Sequence, residues 1–114
     1  MASLAPPITV TEIADGFHVT IHGAIHLNRE PIEAELRRLE GMRPRVIELD
    51  LSDSEHISSV GFSVLVPLNT RLKAVGAQLI ITKIQVRTRQ LFKTLHLEKL
   101  FVFASDAVID NRLV

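Results

Sequence analysis

"VIELDLSDSEHISSVGFSVLV", residues 46–66, changes character twice. It opens as a β-rich run, passes through an acidic, serine-rich turn, and ends in an apolar run headed by two serines and a glycine. A strand that leads into a helix begins a βαβ unit. The second strand is "QLIITK" (78–83), reached through a helix that ends near "RLKAVGA" (71–77). From Ser59 onward, steps of about 100° per residue put Val64, Leu65, Leu68, Leu72 and Val75 on one stripe, the predicted core face. Ser59, Phe62, Ser63 and Val66 then share the opposite side. Two exposed hydrophobes bordered by small hydroxyls, and further on by Asn69 and Lys73, have the composition of a small docking surface. The competing reading is a second stripe packed under a loop or a neighbouring subunit. Pro67 complicates the helix, because an interior proline removes a hydrogen bond and costs about 3 kcal/mol unless the backbone adapts. Periodicity leaves two possibilities open: a helix from Ser59 kinked at Pro67, or a buried strand over 60–66 with the helix starting at Pro67.

Upstream, "ITVTE" and "FHVTIHG" alternate, and the intervening "IADG" has the Asp-Gly chemistry of a tight hairpin. Phe17, Val19 and Ile21 face one way and His18, Thr20 and His22 the other, so one sheet face is expected to be buried and the other wet. "PIEAELRRLEG" switches to a helical period with Ile32, Leu36 and Leu39 on one stripe, Pro31 in the first turn and Gly41 placed to end it. "VRTRQLFKTL" predicts a further helix. "SDAVIDNRLV" reads as a short closing helix capped by Ser105.

The chain has 114 residues, 46% of them hydrophobic, which suits one domain over 1–114 with residues 1–7 as a flexible lead. Thirteen Lys and Arg balance thirteen Asp and Glu, leaving no field for gripping nucleic acid or an anionic membrane over a broad surface. There is no cysteine, hence no disulfide, thiolate chemistry or sulfur-based zinc site. "MASLAPP" lacks the charge and apolar stretch of a secretion signal, and the apolar run 64–68 is far short of the roughly 20 residues that cross a bilayer. The expected location is the cytoplasm.

Enzyme and metal chemistry find little support. Asp50, Asp53 and Glu55 form an acidic group without EF-hand spacing or a His-Glu-x-x-His helix, and read as a solvated strand end. His18 and His22 share a strand face but stand about 13 Å apart at the usual rise, too far to share a metal, and read as surface residues. Should the strands before His26 and His56 end on the same side of the sheet, a polar contact near Ser59 is conceivable.

In order and spacing, "VIELDLS", "HISSVGFSVLV", "RLKAVGAQLIIT" and "TRQLFKTLHLEKLF" together resemble the STAS domain, the family of sulfate transporters and bacterial anti-sigma-factor antagonists. The resemblance spans nearly the whole chain from the first hairpin. It implies an α/β fold, a mixed β-sheet with helices packed mainly on one face, and favours the helix that starts near Ser59. It also implies a non-enzymatic protein-interaction regulator. The partner would be a kinase-type anti-sigma factor that supplies the ATP, so the chain itself needs no cofactor. The family's phosphoacceptor falls on Ser59 and its motif glycine on Gly61. Ser58 and His26 stand where the family carries aspartates; with Ser59 and the helix-face residues Phe62, Ser63 and Val66 they form the candidate partner-binding set. Loss of both acids favours the alternative of a STAS subunit that binds constitutively in a scaffold or transporter complex. His96 replaces a glycine common before "L-x-K-L-F", at a helix stop that favours left-handed geometry.

Overall fold

Strand alternation and turn chemistry set the first element pair. In the computed structural model, which describes residues 7–25, 28–54, 57 and 59–109, strands β1 (Ile8–Ile13) and β2 (Gly16–Ile21) form an antiparallel hairpin. Ile13 pairs with Gly16, so Ala14 and Asp15 make the turn. Pairing extends to Pro7, whose carbonyl accepts the His22 N–H at 2.8 Å. Gly16 is required for space: a Cβ there would lie 1.8 Å from the Val46 carbonyl oxygen on the neighbouring strand.

That neighbour is β3 (Val46–Asp50), parallel to β2, and it is followed in the sheet by parallel β4 (Gln78–Gln85). Beyond β4, the short strands β5 (Val102–Phe103) and β6 (Val108–Ile109) pair with successive parts of it, at Ile80–Ile81 and at Ile84–Gln85. Helix α1 (Arg29–Gly41) links β2 to β3, α2 (Ser59–Ala74) links β3 to β4, and α3 (Val86–Thr94) follows β4. The result is a mixed sheet in the order β1-β2-β3-β4-β5, with β1 antiparallel to it.

Residues paired across strands point to the same face. Phe17, Ile47 and Leu79 form one buried row and Val19, Leu49 and Ile81 another. These rows share a core with Ile32, Leu36 and Leu39 of α1, with Leu65, Leu68 and Leu72 of α2, and with Phe92 of α3. On the other face, the row His18, Glu48 and Ile80 stays half-exposed and Val102 is exposed. The helices therefore pack on one side of the sheet, as the alternation predicts.

Helix α2 runs through Pro67, which excludes the strand reading of 60–66. The carbonyl deprived of a donor by Pro67 belongs to Ser63, on the exposed side where water can reach it. Three expectations for this helix are corrected. Phe62, read as exposed, is 7% exposed and belongs to the core. It lies only about 60° around the helix from Leu65, and the buried arc is wide enough to include it and Asn69. Its ring meets Phe92 of α3 edge-on, centroids 4.9 Å apart. Asn69, read as bordering the surface, is also buried and donates to the Leu100 carbonyl at 2.8 Å. Val75, read as core, is 76% exposed because it lies beyond the last helical residue, in a turn where Gly76 has φ +78°.

The other ends also differ from the reading in instructive ways. α1 does finish at Gly41, but the left-handed residue is Arg43, at φ 56°. Ser105 caps no helix: Val108–Ile109 is a strand on β4, and residues 110–114 lie outside the described ones. His96 does occupy the left-handed region, at φ 60°. A non-glycine residue there costs about 1–2 kcal/mol, partly offset by the extra unfolded-state freedom of glycine. His96→Gly is therefore expected to stabilise the domain by about 0.5–1 kcal/mol, read as a raised urea midpoint with unchanged slope.

Candidate functional site

The loops that leave β2 and β3 converge at one end of the sheet, and hydrogen bonds tie them together. Gly23 N–H donates to the Asp53 carbonyl at 3.0 Å, and the Ser54 hydroxyl to the Gly23 carbonyl at 2.6 Å. The His22 imidazole joins both ends of this stitch, with Nδ1 2.5 Å from Asp53 Oδ2 and Nε2 2.8 Å from Thr9 Oγ1. The order hydroxyl, imidazole, carboxylate serves here to fasten β1 and β2 to the β3–α2 loop. Asp50 folds the start of that loop by accepting the Ser52 N–H (2.8 Å) and hydroxyl (2.6 Å) on one oxygen. Gln85 then holds the Ser52 carbonyl at 2.7 Å.

The first turn of α2 sits on Ile25 and Ile57, both buried. Gly61 permits that approach: a Cβ would lie 2.7 Å from Ile57 Cγ2 and 3.3 Å from Ile25 Cδ1. Ser59 is the first residue of α2 and is exposed. Among the described residues its hydroxyl has no hydrogen-bond partner, so it stands free at the positive end of the helix. One turn on, Ser63 is exposed and its hydroxyl donates to the Val60 carbonyl at 2.6 Å, while Val66 is half-buried against the core. The surface presented at this end is thus Ser59, Ser63 and the outer part of Val66, without Phe62. Ser58 and His26, with the suggested His26–His56 contact, lie outside the described residues.

Of the acidic group, Asp50 is half-buried and Asp53 exposed, each with a hydrogen-bond partner, and Glu55 lies outside the described residues. His18 and His22 are half-buried and paired, His18 with Glu48 at 3.0 Å. The reading missed the His22–Asp53 link and the buried Ser54. Each residue type is visible in the chain, but partners 31 positions apart leave no local signal. Among the described residues no group of His, Asp and Glu is placed to hold a metal ion, and no helix is long and apolar enough to cross a membrane.

The STAS domain model matches residues 8–109, and the chain belongs to the STAS domain family. Among solved structures it is similar to an anti-sigma factor antagonist from Mycobacterium paratuberculosis, at 26% identity and TM-score 0.71 over 89% of each chain. The unphosphorylated anti-sigma factor antagonist SpoIIAA is similar at 16% identity and TM-score 0.72, covering 87% of this chain and 89% of that one. The phosphorylated form of the Bacillus cell fate determinant SpoIIAA is similar at 16% identity and TM-score 0.67, over 87% and 92%. The last two likenesses speak for the fold alone. No curated protein matches the chain in sequence.

Proposed function

We propose that the chain is an anti-sigma-factor antagonist or a related partner-switching module, which docks a protein partner at the N-terminal end of α2 and is controlled by phosphorylation of Ser59. The observation that carries this reading is the position of Ser59: exposed, first in α2, and following a loop pinned by hydrogen bonds. The similar structure of an anti-sigma factor antagonist at 26% identity supports it. A kinase-type anti-sigma factor is the proposed partner and supplies the ATP, so the chain itself carries no cofactor. A phosphate at Ser59 would gain about 0.3–1 kcal/mol from the helix end, so the fold tolerates it. The same group adds about 1.5 to 2 negative charges beside Ser63 and Val66, which disfavours an apolar partner surface through repulsion and desolvation.

Ser59→Asp and Ser59→Ala are expected to fold alike, within about 1 kcal/mol of the parent. Against the native partner at moderate salt, Ser59→Asp binds about tenfold more weakly or worse, and Ser59→Ala at least as tightly as the parent. Calorimetry of the three proteins checks this. The alternative is a constitutive scaffold or transporter-complex subunit, favoured by Ser58 and His26 in place of the family's aspartates. It predicts equal affinity for all three proteins and no phosphate transfer.

A further inference from the structure

The end of the domain away from Ser59, where α1 and α2 finish and β3 and β4 begin, holds a cavity of about 450 Å³. Leu72, Val75 and Ala77 form its apolar side, and Glu40, Arg43 and Arg45 its charged side. Glu40 is already neutralised, since Arg71 Nε lies 3.0 Å from both of its carboxylate oxygens. Arg43 and Arg45 are different: among the described residues neither guanidinium has an ion pair or a hydrogen bond. The two arginines also line a second cavity together with Glu12 and Asp15, and neither carboxylate forms an ion pair with them.

Two helix C-termini reach this cavity, and free carbonyls there would repel an anion. They are occupied. Leu39 and Glu40 carbonyls accept the Met42 and Arg43 N–H groups, the Leu72 carbonyl accepts those of Val75 and Ala77, and the Lys73 carbonyl accepts that of Gly76. The arginines also project from a fixed backbone. Arg45 N–H donates to the Asp15 carbonyl at 2.9 Å and its own carbonyl accepts Gln78 N–H at 3.0 Å, while Arg43 is held in the left-handed region.

We propose that this cavity binds a small organic anion, its phosphate or carboxylate head held by Arg43 and Arg45 and its apolar body laid against Leu72, Val75 and Ala77. Planar guanidinium forks bind such heads in bidentate fashion, and the volume falls within the roughly 300–1,000 Å³ of ligand sites. The proposal is independent of the role of Ser59, because its test needs no protein partner. The whole chain is titrated with phenyl phosphate at millimolar concentration and followed by amide NMR, with inorganic phosphate and benzyl alcohol as separate probes. Phenyl phosphate gives saturable shifts at Arg43, Arg45, Gly76 and Ala77, binds more tightly than inorganic phosphate, and benzyl alcohol gives none there. The double variant Arg43→Gln with Arg45→Gln weakens phenyl phosphate roughly tenfold or more with an unchanged melting curve. Absence of saturable shifts, equal response to benzyl alcohol, equal binding of the two phosphates, or undiminished binding by a folded double variant would each overturn the proposal.

Discussion

Phe62→Ala is expected to cost about 3–5 kcal/mol, a large share of the 5–15 kcal/mol that holds an ordinary domain folded. The ring is almost fully buried and meets Phe92 edge-on, while Phe92 in turn meets Phe101 at 5.2 Å and Phe103 at 5.5 Å. This cluster couples α2, α3 and β5 on the core side of the sheet. Truncation removes the transfer energy of the ring, leaves a cavity and forfeits an aromatic contact worth about 0.5–1.5 kcal/mol beyond its area. For a chain of this size the melting temperature should fall by roughly 10–20 °C, measurable by circular dichroism. Phe62→Leu refills part of the space and should fall by much less. A variant that melts with the parent but loses partner affinity would return Phe62 to the surface and contradict the packing described here.

The second large effect is expected at Gly16. A Cβ 1.8 Å from the Val46 carbonyl oxygen meets main chain, which cannot swing aside as a side-chain tip can. Gly16→Ala must spread β2 from β3 where Gly16 pairs with Val46, next to the buried Phe17 and Ile47. Overpacking of this kind costs about 1–3 kcal/mol or more, and a clash between backbones belongs at the upper end. Gly23→Ala is a useful contrast. No atom stands within 4 Å of its would-be Cβ, but its φ of +72° makes the cost conformational, about 1 kcal/mol. Urea midpoints for the two variants should therefore separate steric from conformational loss; equal losses would contradict the close strand approach at Gly16.

Much of the fold is local in origin and could be read directly. The alternation of Phe17, Val19 and Ile21 follows from strand pleat, and the stripe Leu65, Leu68 and Leu72 from helical period; both are buried as read. Phe62 was misplaced because a helical wheel places side chains around an axis but does not say how wide an arc the neighbours cover. The width at Phe62 comes from Phe92, 30 positions further along the chain and on another helix. The end of the chain failed for a related reason. "SDAVIDNRLV" has weak local preference, and Val108–Ile109 becomes a strand by pairing with Ile84 and Gln85. At the candidate site, Ser59 was legible as a helix start. The His22–Asp53 latch was not, since its geometry exists only once β2 and β3 lie side by side. Gly41 was a reasonable stop signal, but the chain makes its left-handed turn two residues later, at Arg43.

The proposed switch turns on Ser59 at the head of α2. Intact-mass and peptide mass spectrometry of the protein taken from its native cells, grown under several conditions, tests that claim directly. The expected result is a single phosphate, localised to Ser59, whose occupancy changes with growth condition. Protein that stays unmodified under all conditions, or carries phosphate only elsewhere, would contradict it and leave constitutive binding as the better reading.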